Sequence, residues 1–479
     1  MDQSADNLRK MIEDSLLSHL RFQPTEGQRL LVGRLANFMA ISGTGDTYIV
    51  KGYAGTGKTT MVGAIVKTVS LLGAKAVLLA PTGRAAKVMT GYSGRRAFTI
   101  HRRIYRMDVG EGGGFSMKLA ANNSKNTFFI VDEASMIPEQ PSGFGSNARS
   151  LLKDLIDYVG QGDSCRLILV GDTAQLPPVG EEHSPALDVR HLISRFDVRA
   201  GHFELTQVVR QELESGILFN ATMLRKNILD GKGFSFNTDF ADIQRISSAD
   251  VGEQLASDHG KYGTDQVIVV CRSNRSANNY NRQIRYGSMW FSDEINAGDH
   301  LMCTKNNYHW LESAEGPGFI ANGDMLRVVR VNNFSEMYGF RFANLTLEFT
   351  DYSDMPPFDA MVNLDSLYTE APSLTSEQSD QLYQKALERI DGASSKSAKS
   401  AFLANDPYFQ ALQVKFGYAV TCHKAQGGQW KVVYVDQGYL TEELIDVNYW
   451  RWLYTAVTRA TEKLYLVNFS ERFFGSTDS

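Results

Sequence analysis

A glycine-rich segment between an apolar run and a helical pattern constrains the fold of this chain more than any other feature. Residues 52–60 read GYAGTGKTT and fit the pattern GxxxxGK[ST]. The apolar run at 47–51 predicts a strand before the segment, and residues 61–72 predict a helix after it. In that context the glycines let backbone N–H groups face phosphates, and the helix N-terminus adds a favourable field. The segment therefore predicts a P-loop.

Side chains of this segment have separate expected roles. Lys58 is expected to reach the β- and γ-phosphates of ATP, and the Thr59 hydroxyl to ligate Mg²⁺. The predicted nucleotide contacts in the segment are Gly55, Thr56, Gly57, Lys58, Thr59 and Thr60. A chance glycine-rich turn is the competing interpretation, and the flanking strand and helix argue against it.

A second motif supplies two adjacent carboxylates. Residues 128–133 read FFIVDE, an apolar run that ends in Asp132 and Glu133. We expect a buried strand to carry Asp132 to the edge of the sheet as a Mg²⁺ ligand, with Glu133 as the general base that activates the attacking water. The alternative is an acidic strand end that caps the following helix. Together with the P-loop, the pair predicts an Mg-ATP hydrolase.

Strand-like runs alternate with helical patterns in two parts of the chain, which predicts two α/β domains with parallel sheets covered on both faces. The strands predicted in the first part are 47–51, 76–80, 127–132 and 166–171. Those predicted in the second part are 266–271, 418–421, 431–435 and 463–468. Ligands of such sheets bind at the carboxyl ends of the strands, where the motifs fall.

The second α/β pattern is interrupted from about residue 286 to residue 405. Short β-like runs are followed by a polar helical stretch at 374–404. The β-like runs are 300–304, 325–331 and 340–350. We interpret this segment as a small β domain with a helical appendage, inserted in the second α/β domain.

The first 21 residues predict an amphipathic helix, because apolar residues recur at every fourth position. They are Leu8, Ile12, Leu16 and Leu20. Core packing is the expected role of this stripe, and a partner-binding site is the alternative.

Composition excludes several classes of protein. The 479 residues include 49 Lys plus Arg and 54 Asp plus Glu, a formal net charge of −5, so this is not a uniformly basic chromatin-type protein. A local basic patch can still bind nucleic acid. The four cysteines are far apart in sequence, which excludes CxxC metal sites and favours a reducing cytoplasm. No apolar run is long enough to predict a membrane span, and no signal peptide is predicted.

Two stretches are basic and contain no acidic residue. Residues 80–107 carry seven Lys or Arg, and residues 267–290 carry four Arg. Aromatic residues are interleaved in both, among them Tyr92 and Trp290. Basic grooves with stacking rings are typical of single-strand nucleic-acid binding. Solvated helix faces, balanced by acids elsewhere, are the alternative for each stretch.

Eight short segments, in order along the chain, resemble the motifs of the superfamily 1B helicases of the RecD-like and Dda-like branch. Residues 24–28 resemble the Q motif, and residues 80–87 resemble motif Ia. Segments that resemble motifs Ib, II, III, IV, V and VI begin at residues 99, 132, 171, 205, 421 and 454. The resemblance runs from about residue 22 to residue 468, and the inserted β region is its least specific part.

The resemblance implies further roles at the nucleotide. Gln28 would read adenine, and Gln175 would hydrogen-bond the γ-phosphate or its attacking water. Arg210 and Arg459 would supply planar cations for the charge that develops on the γ-phosphoryl group. Gly427 is also predicted to contact nucleotide. Because Arg459 belongs to the second α/β domain, it would engage only when the domains close; a loop amide and surface ion pairs are the alternatives for these side chains.

The resemblance also implies DNA contacts from both α/β domains. The predicted DNA-binding residues are Pro81, Thr82, Arg84, Thr99, His101, Phe115, Asn274, Thr421, His423 and Lys424. Helix capping and buried hydrogen bonding are the alternatives for the Thr and His residues. Residues 105–125 predict a β-hairpin at the position of the family's strand-separating pin, with Phe115 or Met117 stacking on the fork. A plain hairpin loop is the alternative there.

The implied architecture is two RecA-like P-loop domains with two insertions. The domains are a helix at 1–21, a first RecA-like domain at 22–205 that contains the pin, a second at 206–285 and 406–479, and an SH3-like β domain with its helical appendage at 286–405. The role of the 374–404 stretch stays open.

The implied function is that of an ATP-dependent DNA helicase that moves 5′-to-3′ on single-stranded DNA and unwinds forked duplex, with ATP and Mg²⁺ as cofactors. A role in DNA repair, replication or recombination is implied, and single-strand-binding or replication proteins are candidate partners. Three alternatives remain: an RNA helicase, a nucleotide-switched recruitment module that binds DNA without unwinding it, and a metabolic P-loop kinase.

Overall fold

Two helices precede the first sheet, α1 (Gln3–Ser18) and α2 (Glu26–Ile41). The computed structural model describes residues 3–20, 22–109, 115–141, 149–208, 214–231, 233–311, 319–352, 355–390 and 395–475. Ile12 and Leu16 of α1 are fully buried in one apolar cluster with Leu31 of α2, whereas Leu8 is 37% exposed. The inner part of the apolar stripe therefore packs in the core, and its N-terminal end does not.

A six-stranded parallel sheet forms the first α/β domain, in the order β3-β2-β6-β7-β1-β8, and β4 and β5 pair as a separate antiparallel hairpin. Its elements in chain order are β1 (Thr47–Gly52), α3 (Lys58–Leu71), β2 (Lys75–Ala80), α4 (Gly83–Ser93), β3 (Ala97–Thr99), α5 (Ile100–Ile104), β4 (Tyr105–Val109), β5 (Phe115–Leu119), β6 (Thr127–Val131), α6 (Leu151–Gly160), β7 (Arg166–Gly171), α7 (Val189–Phe196) and β8 (Ala200–Leu205).

The apolar runs form central strands because both of their faces are covered. On β1, Ile49 packs into one cluster with Phe129, while Val50 packs into another with Met61 and Ile65 of α3. A strand buried on both faces has a continuous apolar run in place of an alternating pattern. The edge strands β3 and β8 were not predicted, because β3 has three residues and β8 is only partly buried.

A five-stranded parallel sheet forms the second α/β domain, in the order β16 (Ala419–Thr421), β10 (Val267–Cys271), β17 (Trp430–Asp436), β18 (Ala460–Val467) and β9 (Ile243–Ile246). Its elements before the insertion are α8 (Gly216–Asp230), β9 (Ile243–Ile246), α9 (Val251–Tyr262), β10 (Val267–Cys271) and α10 (Asn274–Gln283). The predicted α/β architecture with parallel sheets is therefore confirmed. The edge strand β9 was not predicted.

The inserted segment contains a closed β-barrel of five strands. Its elements are β11 (His300–Cys303), β12 (Met325–Met337), β13 (Phe340–Phe349), β14 (Phe358–Asn363), α11 (Ser376–Leu387), α12 (Lys396–Asn405) and β15 (Leu412–Phe416). The predicted end of the insertion at residue 405 is wrong, because β15 pairs with β11 and closes the barrel. The likeness of the barrel to an SH3 domain stays a prediction.

After the barrel the chain returns to the second sheet. The remaining elements are β16 (Ala419–Thr421), α13 (Cys422–Ala425), β17 (Trp430–Asp436), α14 (Val447–Val457) and β18 (Ala460–Val467). Within the described ranges, no helix combines the length and apolar character needed to cross a lipid bilayer.

A buried ion pair joins the barrel to the second sheet. Arg285 is 1% exposed, and its Nε lies 2.8 Å from Asp299 Oδ1. The Tyr418 hydroxyl donates to the same carboxylate at 3.0 Å, and the Arg285 guanidinium lies 4.2 Å from the centre of the Phe416 ring. Arg285 was counted in the second basic stretch as part of a nucleic-acid surface. That interpretation is wrong for this residue, because its charge is buried and paired.

Candidate nucleotide and nucleic-acid site

The loop after β1 has the geometry of a phosphate cradle. Gly55 and Gly57 have φ of 75° and 86°, a left-handed conformation that glycine adopts without a steric cost. Gly57 caps α3, which begins at Lys58, three residues earlier than the pattern predicts. Lys58 Nζ donates to the Tyr53 carbonyl at 2.9 Å and lies 3.9 Å from Asp172 Oδ2. The lysine side chain is therefore held over the loop at the carboxyl end of β1, and the neighbouring Thr59 is exposed.

Gln28 supports the P-loop from behind. Its Nε2 donates to the Thr56 carbonyl at 3.1 Å, and its Oε1 accepts from the Thr25 N–H at 3.0 Å as part of a capping box on α2. Both ends of the amide are thus bonded inside the protein. A role in reading adenine stays a prediction.

The two carboxylates after β6 differ in their surroundings. Asp132 accepts from the Tyr92 hydroxyl at 2.6 Å and from the Glu133 N–H at 2.8 Å. Burial, and then the charge of Glu133, raises the pKa of Asp132. Glu133 has a left-handed backbone, with φ of 52°, which is uncommon outside glycine and turns its side chain out of the strand direction.

Residues from two other motifs, Gln175 and Arg459, meet at Glu133. Arg459 is 3% exposed, and its Nη1 lies 3.7 Å from Glu133 Oε1. With the Gln175 amide oriented to satisfy both neighbours, its nitrogen donates to Glu133 Oε2 at 3.3 Å and its oxygen accepts from Arg459 Nη2 at 3.1 Å. Arg459 follows α14 of the second domain, so this cluster spans the two α/β domains. Arg210 lies outside the described residues.

The sequence interpretation gave no role to Tyr454, which joins the two domains at the P-loop. Its buried hydroxyl accepts from the Ala54 N–H at 2.9 Å and donates to Asp172 Oδ2 at 2.7 Å. One residue later, Thr455 Oγ1 accepts from the Leu176 N–H at 2.9 Å. Both residues stand in the segment that resembles motif VI, where only Arg459 was singled out. The signal was present in the sequence.

Gly427 contacts the motif Ia helix. It has φ of 73°, and a Cβ atom added there would lie 2.7 Å from Ala85 Cβ and 3.3 Å from Thr82 Oγ1. This position therefore needs glycine so that α4 can approach. The nucleotide contact of Gly427 stays a prediction, and the structure places this residue against the segment expected to bind nucleic acid.

Two predicted DNA-binding threonines of the first domain cap helices. Thr82 Oγ1 accepts from the Ala85 N–H at 3.2 Å, and Thr99 Oγ1 accepts from the Arg102 N–H at 3.3 Å. Burial lowers the pKa of His101 to about 4, so its ring is neutral at pH 7 and adds no charge to a phosphate site. Pro81 is half-buried beside Thr82. The capping alternative thus describes both threonines in this structure.

The predicted DNA-binding residues of the second domain make fewer hydrogen bonds with other described residues. Thr421 precedes α13, and its side chain makes no capping hydrogen bond. His423 is exposed, and Asn274 is the half-buried first residue of α10. Lys424 donates to Asn322 of the barrel, and burial lowers its pKa to about 8. The side chains of Phe115 and Met117 on the hairpin lie outside what the structure describes.

Acidic residues of the barrel contact the basic residues of motifs Ia and Ib. Asp351 lies 3.3 Å from Arg84 Nη1 and 3.5 Å from Lys87 Nζ. Asp324 Oδ2 lies 3.9 Å from Arg102 Nη2. Arg84 and Arg102, taken from sequence as part of an open basic surface, are thus covered by the barrel in this structure.

This barrel contact leaves polar atoms without partners. Arg102 lies 3.7 Å from the centre of the Tyr352 ring. The Tyr352 hydroxyl, Asp324 Oδ1 and Arg102 Nη2 are buried and have no hydrogen-bond partner among the described residues. Burial raises the pKa of Asp324 to about 6, although Arg102 opposes the shift. A Cβ on Gly83 would lie 2.7 Å from Asp324 Oδ1, so this carboxylate sits against the start of α4.

Comparison with known proteins places two family models on the chain. A model described as an AAA domain matches residues 27–230, and one described as a UvrD-like helicase C-terminal domain matches residues 416–467. They lie over the first sheet and over the part of the second sheet that follows the barrel. The barrel itself falls between them.

Two curated relatives are helicases. The ATP-dependent RecD2 DNA helicase of Deinococcus radiodurans is 25% identical over 428 residues, which cover 87% of this chain and 46% of the relative. The ATP-dependent DNA helicase dda of Enterobacteria phage T4 is 30% identical over 208 residues, which cover 40% of this chain and 43% of the relative. The chain therefore spans about half the length of the curated relatives it matches.

A solved structure of Pif1 helicase from Bacteroides in complex with ADP-AlF3 and ssDNA is 15% identical, with a TM-score of 0.46 over 95% of this chain and 94% of that chain. At that score the likeness supports no assignment of individual residues. The motif order, the two family models and the helicase relatives agree with one another, and all of them are consistent with a helicase of superfamily 1B.

Proposed function

We propose that this protein is an ATP-dependent DNA helicase that moves 5′-to-3′ on single-stranded DNA and unwinds forked duplex. The observation that carries the proposal is the cluster of Glu133, Gln175 and Arg459, in which an arginine of the second domain reaches a candidate general base of the first. A site shared between two domains makes their separation depend on the nucleotide. That dependence is what a motor on a strand requires.

In the proposed reaction, Lys58 and the N–H groups of the P-loop hold the β- and γ-phosphates of ATP. Glu133 takes a proton from water as the water oxygen bonds to the γ-phosphorus, and the bond between that phosphorus and the β–γ bridging oxygen breaks to release ADP. Arg459 would neutralise charge on the γ-phosphoryl oxygens, and Gln175 hydrogen-bonds both Glu133 and Arg459. Hydrolysis removes the γ-phosphate that Arg459 would contact, so the domains are free to move apart.

The donors at the P-loop fit Mg²⁺. The Thr59 hydroxyl and the Asp132 carboxylate are hard oxygen donors of the kind that Mg²⁺ prefers, and the ion usually keeps waters and phosphate oxygens as its other ligands. When bound, Mg²⁺ would neutralise charge on the phosphates. The Tyr92 hydroxyl orients the Asp132 carboxylate by its 2.6 Å hydrogen bond.

The nucleic-acid path would run past the N-terminus of α4 and the loop after α13, since Thr82 and Gly427 meet there. Thr421, His423 and Lys424 shortly precede Gly427 in sequence and are the candidate contacts of the second domain. The hairpin β4–β5 would separate the two strands of the duplex. A cytoplasmic location, a role in repair, replication or recombination, and protein partners remain predictions.

Strand displacement tests the proposal. We expect Mg-ATP to drive separation of a partial duplex that carries only a 5′ single-stranded tail, and a Lys58→Ala variant to leave it paired, because the phosphates then lose their cation. Separation from a 3′ tail alone would retain a helicase and reverse the polarity. DNA-stimulated ATP hydrolysis without separation from either tail would favour a switch that binds DNA without unwinding it. Separation of an RNA duplex, but not of the matching DNA duplex, would indicate an RNA helicase.

Neutralising one acidic residue of the barrel tests whether the barrel and DNA compete for the same basic side chains. We expect an Asp351→Asn variant to bind single-stranded DNA roughly three- to fivefold more tightly, because Arg84 and Lys87 lose a partly exposed ion pair and become available to phosphates. The log–log salt dependence of binding would steepen by roughly 0.7 for each phosphate gained. Fluorescence anisotropy over a series of salt concentrations measures both quantities.

The matched control is Asp359→Asn, which removes an exposed acid on β14 of the same barrel, bonded to Thr346 Oγ1 at 2.6 Å. It should bind DNA as the unmodified protein does. Unchanged or weaker binding by Asp351→Asn would mean that the barrel contact orders the basic residues for DNA and does not oppose it.

A further inference from the structure

Gln175 also lines a second space beside the catalytic cluster. A cavity of about 380 Å³ lies between the segment that resembles motif III, the loop that leads into α7, the strands β1 and β8, and α14 of the second domain. Its described lining includes Thr173 and Pro177 and no residue of the 52–60 loop. The Ser184 hydroxyl ties one wall to the Ser135 carbonyl at 2.9 Å, directly after Glu133 and Ala134. The cavity is therefore next to the hydrolysis site but separate from the P-loop.

Five basic side chains line this cavity. They are Lys51, His183, Arg190, His202 and Arg451. Within the described ranges neither Lys51 nor Arg190 forms an ion pair, and both remain able to bind an anion from solution. The three residues of this set that are charged at pH 7, Lys51, Arg190 and Arg451, attract anions to the cavity.

Asp188 is the one acid in the described part of the lining, and its carboxylate already accepts hydrogen bonds from the backbone. Asp188 Oδ1 accepts from the N–H groups of Arg190 and His191, at 2.9 and 3.1 Å, as the N-cap of α7. Asp188 therefore stabilises the start of the helix that presents Arg190, and its carboxylate is directed to the backbone. The cavity keeps an excess of positive charge.

Arg451 carries an unsatisfied donor. Its Nη1 donates to the Glu182 carbonyl at 2.8 Å, but its Nε is buried and has no partner among the described residues. A buried cationic N–H without an acceptor is costly, and native structures generally pair such groups with protein, water or a bound ion. An oxyanion in the cavity would supply the missing acceptor.

We propose that this cavity binds inorganic phosphate and receives the product phosphate of ATP hydrolysis as it leaves Glu133. The second half of the proposal rests on the proposed function. Gln175 connects the two places, because its amide bonds Glu133 and Arg459 and the residue also lines the cavity. A phosphate that leaves the cluster past Gln175 enters a space lined by Lys51, Arg190 and Arg451.

The cavity is complete only when the two domains are together. Arg451 lies on α14, one turn before Tyr454, whose hydroxyl bonds the Ala54 N–H of the first domain. Movement of α14 away from the first domain would withdraw Arg451 from the cavity. Phosphate held there would therefore leave when the domains separate.

Equilibrium binding tests the site without any turnover. Protein saturated with Mg-ADP, which occupies the P-loop, is titrated with inorganic phosphate at constant ionic strength against chloride, and binding is measured by calorimetry. We expect a Lys51→Met/Arg190→Gln double variant to bind phosphate at least tenfold more weakly. Arg195→Gln is the matched control, because Arg195 lies on the same helix and pairs with Glu139 at 3.1 Å outside the cavity. Equal phosphate binding in the double variant and the control, or no binding by the unmodified protein, would overturn the site.

Transient kinetics test the second half. ATP cleavage is followed by quenched flow and phosphate release by a fluorescent phosphate sensor, in the presence of single-stranded DNA. We expect the delay between cleavage and release to lengthen at least threefold in the double variant and to stay unchanged in Arg195→Gln. An unchanged delay in the double variant would overturn the exit path. Absence of any cleavage by the unmodified protein would instead overturn the proposed function, while the binding result would still decide the site.

Discussion

An Arg459→Ala variant should lose about a thousandfold in kcat for DNA-stimulated ATP hydrolysis, because an arginine that stabilises the γ-phosphoryl charge contributes roughly 10³–10⁵ in rate in related phosphoryl transfers. Here the guanidinium also lies 3.7 Å from Glu133 and donates a hydrogen bond to the Gln175 amide oxygen. Removing it therefore disturbs the candidate base as well. Steady-state hydrolysis at saturating ATP measures the loss.

Arg459 also has a structural role, and the experiment must distinguish the loss of that role from the loss of its effect on hydrolysis. Its Nε and Nη1 donate to the carbonyls of Thr455 and Gly428, at 3.0 and 3.1 Å, so the alanine variant leaves buried acceptors unpaired. Arg459→Lys keeps the charge but loses the planar fork, and it should still lose most of the rate. Arg472→Ala, which removes a more exposed arginine paired with Glu442, is the control and should hydrolyse normally. Normal hydrolysis by Arg459→Ala would favour a nucleotide-switched module.

A Glu133→Gln variant should bind ATP and hydrolyse it about 10²- to 10⁴-fold more slowly, the usual loss when a general base is removed. The amide keeps the size of the side chain but cannot take the proton. The variant should accumulate in its ATP-bound form on single-stranded DNA. Single-turnover hydrolysis and nucleotide binding, measured on the same preparation, separate the two effects.

Glu139→Gln is the matched control, because Glu139 lies on the same segment but pairs with His191 and Arg195 away from the cluster. It should hydrolyse ATP at the unmodified rate. If Glu133→Gln also hydrolysed ATP normally, Glu133 would not be the base. The hydrogen bond from Gln175 would then have a purely structural meaning.

Local sequence patterns predicted most of the fold. The strand before the P-loop and the apolar run before Asp132 are central strands buried on both faces, and such strands have continuous apolar runs that stand out in a sequence. Three of the missed strands, β3, β8 and β9, lie at sheet edges, where burial is partial and the pattern is weak. The end of the insertion was placed too early because β15 resembles any short apolar strand until its partner β11 is known.

Contacts between distant segments could not be predicted. The hydroxyl of Tyr454 bonds an amide 400 positions away, and no spacing rule connects the two. The charges of Arg84 and Arg285 suggested a nucleic-acid surface, because their acidic partners, Asp351 and Asp299, lie outside the basic stretches that were counted. Charge counted along the chain reveals where cations are concentrated. It does not reveal which of them the fold has already neutralised.

The barrel is attached to the second domain by two chain segments, and both lead to adjacent strands. It follows β10 and α10, and it returns to β16, which pairs with β10 in the sheet. The Arg285–Asp299 pair and the Tyr418 hydroxyl stiffen this double attachment. A rotation of the second sheet would thus carry the barrel with it as one rigid arm. The displacement at Asp351 would grow with its distance from the rotation axis, so a small angular step at the nucleotide would become a larger linear step where the barrel meets α4.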